Sequence, residues 1–93
     1  MARDLQVTFR SGRLLAAYLY FHKGPKVRVA QTRREADGMV VDFSDTQVPL
    51  GIEFVAPSKV TLGKVNELLA SLGEQPASAD ELWPLIHRAN RAA

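Results

Sequence analysis

Gly38–Ser58, with the sequence GMVVDFSDTQVPLGIEFVAPS, decides the fold of this chain, because its apolar residues alternate on both sides of one polar loop. Apolar residues at every second position are typical of a strand with one buried face. The stretch therefore predicts a β-hairpin whose apolar face holds Met39, Val41 and Phe43 on the first strand and Leu50, Ile52 and Phe54 on the second. A shift of one residue would turn this set towards water, so we expect a firm register.

The register of the hairpin follows from placing the two apolar faces side by side. This arrangement pairs Phe43 with Leu50, Val41 with Ile52 and Met39 with Phe54, and it leaves Asp45–Val48 as the loop. Asp45 suits the start of the turn, because its side chain can accept hydrogen bonds from nearby backbone N–H groups. Gly51 lies inside the second strand, which indicates a bulge or a close approach of another group.

Three further strands are predicted before the hairpin. They are a first strand in which Leu5, Val7 and Phe9 alternate with polar residues, a long second strand over Arg13–His22, and a third over Lys26–Arg34 with Val27 and Val29 facing inward. Ser11-Gly12 is a turn signal. A two-residue turn would put the Leu14 face of the second strand beside the first strand, and a three-residue turn would put the Leu15 face there. Both faces are apolar, so we expect both to be covered.

Helical spacing replaces the alternation after Ser58. The predicted first helix carries Leu62, Val65, Leu69 and Leu72 on one face, with Thr61 as its N-cap and Gly73 after its last turn. Ser78–Glu81 matches a capping box for a second helix. Pro84 would remove a backbone hydrogen bond from that helix. Two alternatives follow: the second helix is kinked, or a short turn precedes a helix that begins near Pro84.

Strands followed by helices predict an α+β fold. We expect one domain over residues 1–93, with an antiparallel β-meander of about five strands over residues 1–57 and two C-terminal helices over residues 58–93 packed on the sheet. The chain has no cysteine, which excludes disulfides and thiolate metal sites and fits a reducing compartment. No apolar run reaches membrane-spanning length. We therefore expect a cytoplasmic protein with no cofactor and no membrane contact.

A resemblance to a known family rests on three stretches: AAYLYF at Ala16–Phe21, VVDFSD at Val40–Asp45 and GIEFVAPS at Gly51–Ser58. In these stretches the chain resembles the small bacterial domain-of-unknown-function family 2283, whose hallmark is an acidic turn followed by a Gly-Ile-Glu strand. The resemblance implies a bacterial protein without an established activity, and some members look like partners in toxin–antitoxin operons. Relatives often carry an acidic residue before the tyrosine of the second strand, where this chain has Ala16-Ala17, so no role for that acid is implied.

Asp42 and Glu53 form the candidate acidic pair. In the predicted register Asp42 lies opposite Gly51 and Glu53 lies opposite Val40, which puts the carboxylates diagonally on one face with Cβ atoms roughly 6–7 Å apart. Such a pair can hold a hard cation or divide acid and base roles. Two carboxylates without a third ligand or a nucleophile are more typical of a solvated sheet face.

Basic residues concentrate in the first part of the chain. Residues 1–34 hold eight Lys or Arg and one Asp, a net charge of +7, whereas residues 35–93 hold four Lys or Arg and nine Asp or Glu, a net charge of −5. The candidate polyanion-binding stripe consists of Lys23, Lys26, Arg28, Arg33 and Arg34, extended by Arg10 and Arg13. Tyrosines beside it can stack on bases. The alternative is a strand edge that charge protects from pairing.

Tyr18, Tyr20 and Trp83 are the candidate interface residues. Helices on one face of the sheet would leave the face with the two tyrosines for a partner, which predicts a homodimer. His22 and His87 lie far apart and outside any metal-ligand spacing, so no catalytic residue and no metal site are predicted. The sequence thus predicts a non-enzymatic protein–protein interaction module, with a small toxin-like protein as a second candidate partner. The alternative is a nucleic-acid-binding protein that uses the basic N-terminal strand face.

Overall fold

The computed structural model describes residues 3–22, 28–35 and 37–86. The elements in this part of the chain are β1 (Asp4–Arg10), β2 (Arg13–Tyr20), β3 (Gln31–Arg34), β4 (Met39–Phe43), β5 (Pro49–Phe54), a 3₁₀ helix (Pro57–Lys59) and α1 (Leu62–Ser71). The α+β class is therefore confirmed. None of the helices among the described residues has the length and apolar character needed to cross a membrane.

The order of the strands differs from the predicted simple meander. The sheet runs β1-β2-β5-β4-β3 with antiparallel neighbours, so β2 pairs with β5 and not with β3. The strand sequences are compatible with this order. The apolar RLLAAYLY of β2 takes an interior position, and the polar QTRR of β3, with all four residues exposed, takes an edge. The meander prediction holds only for β3, β4 and β5.

The central hairpin has the predicted register in its inner part. Met39 lies opposite Phe54 and Val41 lies opposite Ile52, as predicted, but an irregularity after Asp42 places Phe43 opposite Pro49. The predicted Phe43–Leu50 pair is therefore wrong. Bulges of this kind insert one extra residue into a strand and change its direction locally.

The loop of this hairpin is closed by Ser44 and not, as predicted, by Asp45. The buried Ser44 N–H donates to the carbonyl of Val48 at 2.9 Å, and its Oγ accepts from the N–H groups of Val48 at 3.1 Å and Thr46 at 3.3 Å. A serine hydroxyl can satisfy turn N–H groups in the same way as an aspartate does.

The first hairpin contains features of both alternatives that the sequence left open. Ser11 and Gly12, with φ of 52° and 76°, form a two-residue turn that pairs Arg10 with Arg13, and positive φ at both positions is typical of type I′. Phe9 then lies opposite Leu14, but a shift after Thr8 places Val7 opposite Ala17. Because of the bulge, Phe9 lies beside the predicted Leu14 face of β2, whereas Val7 lies beside the predicted Leu15 face, which includes Ala17.

The third strand is shorter than the predicted Lys26–Arg34. It spans Gln31–Arg34, and Val29 is 51% exposed, so its predicted inward orientation is wrong. Val27 lies outside the described residues.

The C-terminal segment covers one face of the sheet. Thr61 caps α1 by accepting from the N–H of Lys64 at 3.2 Å, and Gly73 adopts a φ of 75° after its last turn, as predicted. The second predicted helix is not matched as a full element: residues 79–82 form turns, residues 83–86 are helical, and its remainder lies outside the described residues. Buried residues of this segment, Val60, Val65, Leu68, Leu69, Ala77, Leu82 and Leu85, pack with the sheet residues Ala17, Leu19, Val41, Ile52 and Phe54.

Two polar contacts hold the stretch after α1 in place. The Asn66 side chain accepts from the N–H of Ala77 at 2.7 Å and donates to its carbonyl at 3.1 Å. Arg3, at the start of β1, donates to the Glu81 carboxylate at 2.9 and 3.0 Å and to the carbonyl of Gln75 at 2.6 Å. Both ends of the described chain are therefore fixed to the same core.

Substituting Gly51 by alanine is expected to destabilise the fold by about 1–3 kcal/mol, because a Cβ there would lie 2.7 Å from the backbone oxygen of Leu19 and would also meet the Tyr18 ring. Gly63→Ala is the matched control. A Cβ at that α1 position meets nothing within 4 Å, and alanine should stabilise the helix by up to about 1 kcal/mol. Urea unfolding of both variants measures the difference, and equal stability of Gly51→Ala and the native chain would contradict the close approach.

Candidate interaction surface

The side of the sheet opposite the core is called the outer face here. Strand alternation assigns to it the residues whose neighbours along each strand point into the core, such as Tyr18 beside the buried Ala17 and Leu19. In the observed register the outer face has two rows across the central strands: Arg34, Val40, Glu53 and Tyr18 form one row, and Thr32, Asp42, Gly51 and Tyr20 form the other.

A hydrogen-bonded bridge crosses four strands on the outer face. Tyr18 on β2 donates its hydroxyl to Asp42 Oδ2 on β4 at 2.8 Å, and Thr32 on β3 donates its hydroxyl to Asp42 Oδ1 at 2.8 Å. Gly51 makes the first bond possible, because it lies on β5 between the two strands and its missing side chain leaves room for the Tyr18 ring. The close approach predicted for Gly51 is thus the passage of a tyrosine across the middle strand.

The Tyr18 hydroxyl is held in its protonated form. Burial of the phenol raises its pKa above the ordinary value, and the hydrogen bond to the Asp42 carboxylate raises the pKa further. The carboxylate accepts a hydrogen bond from the neutral phenol, and its charge would repel the phenolate. Tyr18 therefore serves as a hydrogen-bond donor in this site.

The structure places the candidate acidic pair as predicted and gives its two members different surroundings. Asp42 lies opposite Gly51 and Glu53 lies opposite Val40. Both oxygens of Asp42 accept from hydroxyl groups, whereas the half-buried Glu53 has no hydrogen bond or ion pair with another described residue. No group of three or more His, Asp or Glu side chains that could hold a metal ion occurs among the described residues. Asp42 is therefore engaged within the sheet, and Glu53 is available to a partner.

An aromatic row runs along β2 on the outer face. The ring centroids of Tyr18 and Tyr20 are 4.4 Å apart, and those of Tyr20 and His22 are 6.0 Å apart in a stacked arrangement. Such spacing is typical of favourable aromatic pairs. Tyr20 is 38% exposed, so the row presents an aromatic surface next to Glu53 on the adjacent strand.

Trp83, the third candidate interface residue, lies apart from the two tyrosines. It is 54% exposed, and it belongs to the segment whose Leu82 and Leu85 are buried in the core on the other side of the sheet. The three predicted interface residues therefore do not form one surface.

The predicted basic stripe is divided in the structure. Arg28, Arg33 and Arg34 are exposed, but alternation along β3 puts Arg33 and Arg34 on opposite faces. Arg33 donates to Glu35 at 2.8 Å and lies 4.5 Å from the centroid of the Phe43 ring, whereas Arg34 has no hydrogen bond or ion pair with another described residue. Lys23, Lys26 and His87 lie outside the described residues. Arg34 is the member that β3 places on the outer face.

Sequence reasoning missed the role of Thr32. Its bond to Asp42 depends on the register of β3 against β4, in which the two residues lie opposite each other. The turn before Met39 decides that register, and its Glu-Ala-Asp-Gly sequence fits loops of more than one length. The observed pairing of Thr32 with Asp42 follows from the sequence only if a loop of three residues is assumed between Glu35 and Met39.

In comparisons with known proteins, no family model, no curated protein and no solved structure matches the chain. The resemblance to domain-of-unknown-function family 2283 therefore stays a prediction.

Replacing Tyr18 by phenylalanine is expected to cost about 1 kcal/mol near neutral pH, because it removes the hydrogen bond to Asp42 and keeps the ring. Since the pKa of Tyr18 is higher in the folded protein than in the unfolded chain, the contribution of its protonated form is fully present below about pH 10 and is lost as the pH rises above that value. Urea unfolding at several pH values measures this. Tyr20→Phe is the control. Above about pH 10 the free energy of unfolding of Tyr18→Phe should fall less steeply with pH than that of the control or of the native chain. Equal slopes of unfolding free energy against pH would count against the bridge.

Proposed function

We propose that this protein is a non-enzymatic protein–protein interaction module that forms a homodimer through its outer face. The observation that carries the proposal is the combination of the exposed Tyr20, next to Tyr18, with two groups of opposite charge on the same face, Glu53 and Arg34, neither of which pairs with another described residue. Tyrosine and arginine are enriched at protein interfaces.

Charge complementarity favours a second copy of the chain as the partner. Arg34 and Glu53 lie in one row with Val40 between them, so their backbones are two strand spacings apart, roughly 10 Å. In a two-fold interface each contact occurs twice, and Arg34 of each copy can meet Glu53 of the other. A half-buried carboxylate gains more from such a contact than an exposed one, because less water competes for it.

The size of the face sets the expected strength of the dimer. Five strands at their usual spacing make a face roughly 20 Å wide, and strands of five to six residues are roughly 20 Å long. The face therefore covers roughly 400 Å², about half of the roughly 800 Å² that each partner buries in a standard interface. We therefore expect association in the micromolar range, visible as a concentration-dependent change in mass.

The arrangement of Asp42 supports a structural role for this carboxylate. Each of its oxygens accepts a hydrogen bond, one from Tyr18 and one from Thr32, and these two bonds hold the carboxylate within the sheet. The proposal therefore assigns Asp42 to the organisation of the face and Glu53 to the contact. A cytoplasmic location remains part of this proposal and rests on the cysteine-free sequence.

A charge-exchange experiment tests the homodimer. Glu53→Arg and Arg34→Glu, each alone, place like charges together in the interface. Light scattering is measured at a protein concentration about ten times the native dissociation constant, and each single variant should be monomeric there. The double variant restores opposite charges and should restore most of the dimer. Lys59→Glu, at an exposed position on the 3₁₀ helix, is the control for a change of net charge.

The results separate the alternatives. A native chain that stays monomeric at millimolar concentration would overturn the proposal. Single variants that dimerise like the native chain would also overturn it. A double variant that remains monomeric while its unfolding curve is native would show that Arg34 and Glu53 are not reciprocal partners.

A further inference from the structure

The tip of the β1–β2 hairpin carries two arginines whose charges are not balanced within the described chain. Arg10 and Arg13 flank the Ser11-Gly12 turn and lie directly opposite each other in the ladder. Both are exposed, and neither has a hydrogen bond or ion pair with another described residue. Asp4, the acidic residue of β1, lies at the other end of that strand, roughly 20 Å away along an extended chain.

The position of these arginines has an energetic cost. Like charges directly opposite each other on an antiparallel pair are destabilising. An anion bound between the two side chains would remove that repulsion, and guanidinium groups match phosphate oxygens with pairs of hydrogen bonds. The tip therefore has the charge and donor groups of a phosphate contact.

The hairpin also extends beyond the rest of the sheet. β2 pairs with β5 only over Ala17–Tyr20, so Arg13–Ala16 and their β1 partners form a two-stranded ribbon past the end of β5. Four residues of strand span roughly 13 Å. One face of this ribbon packs on the protein, because Leu14 lies against the core and β2 contacts the 3₁₀ helix. The arginine pair lies on the other face, and the major groove of B-form DNA can admit a two-stranded ribbon.

Apolar side chains accompany the arginines on this ribbon. Leu15 is 46% exposed and is the extra residue of the bulge next to the turn. Phe9 is 45% exposed, but it lies opposite Leu14 and alternates with Arg10, so it is on the other face of the ribbon from the arginine pair. An apolar side chain beside arginines can contact the methyl group of thymine. Two half-exposed side chains offer little area for insertion into lipid, where each basic group contributes only about 1 kcal/mol.

We propose that the β1–β2 hairpin tip, with Arg10, Arg13 and Leu15, is a contact site for duplex DNA. The site differs from the outer face that forms the proposed homodimer, and a dimer would present two such tips. Arg10 and Arg13 are the predicted extension of the basic stripe, and the structure places them apart from its β3 members, at the other edge of the sheet. Among those members, Arg33 is engaged by Glu35. Binding is expected to be weak and independent of sequence, since two arginines reach few phosphates.

A salt titration tests the proposal. The probe is a fluorescein-labelled duplex of about 20 base pairs, and binding is followed by anisotropy from low to physiological salt. Each phosphate contact contributes about −0.9 to the slope of log affinity against log salt concentration, so Arg10→Gln and Arg13→Gln should each reduce the magnitude of the slope by about 0.9. The matched control is Arg33→Gln combined with Arg34→Gln, which removes the same charge from β3 and should leave the slope nearly unchanged.

Further arms of the experiment identify the ligand. A-form RNA has a deep, narrow major groove that side chains do not read, so an RNA duplex of the same sequence should bind more weakly than DNA. Vesicles with anionic phosphatidylserine should bind no more strongly than neutral vesicles. A preference for RNA or for anionic vesicles would overturn the proposal, and so would the absence of DNA binding at low salt. A salt slope that is reduced in the β3 control variant and not in the tip variants would also overturn it. Dimerisation is measured separately, so its failure does not affect this result.

Discussion

One carboxylate organises the outer face of this protein. Asp42 accepts from Tyr18 on one side and from Thr32 on the other, and these three residues come from β2, β4 and β3. The contact is possible because the strand between β2 and β4 offers a glycine at the crossing point. Hydrogen bonds to a charged acceptor are stronger than neutral ones, and this pair joins the N-terminal hairpin to the meander of β3, β4 and β5. Without Gly51 the tyrosine would be displaced, and without Asp42 its partly buried hydroxyl would lose its acceptor.

The same arrangement determines what the face offers to a partner. Asp42 uses its oxygens within the sheet, so Glu53 is the carboxylate of the pair that remains open. Tyr18 leans across Gly51 towards Asp42, and Tyr20 lies against it in the aromatic row and stays exposed. Arg34 shares the row of Glu53 and stays unpaired within the described residues. The row has the tyrosines of β2 at one end, the acid Glu53 on the next strand and the base Arg34 two strands further on. A two-fold contact can pair the acid of each copy with the base of the other, and this is the physical basis for the proposed homodimer.

Much of the fold follows from local patterns, and the differences arise where long-range choices decide. Alternation in Met39–Phe43 and Leu50–Phe54 predicts most of the central register. Residue type predicts the Thr61 cap of α1 and the positive φ of Gly73 after its last turn. The pairing of β2 with β5 could not be read in this way, because β2 is apolar on both faces and its neighbour depends on the path of the chain between β2 and β3. The Phe43–Leu50 pair failed since the bulge after Asp42 has no signature in the alternation. The acidic pair was placed correctly, but the identity of its hydrogen-bond donors required the order of the strands.

The central claim is that Tyr18 and Asp42 act on stability through each other, and a double-mutant cycle tests this most directly. Tyr18→Phe, Asp42→Ala and the combined variant are unfolded in urea at neutral pH, and the coupling energy is the departure of the double variant from the sum of the single effects. A coupling of about 1 kcal/mol or more is predicted for a direct hydrogen bond to a carboxylate. Effects that add to within about 0.3 kcal/mol would show that the two residues are independent, and would contradict the bridge on which this description of the outer face rests.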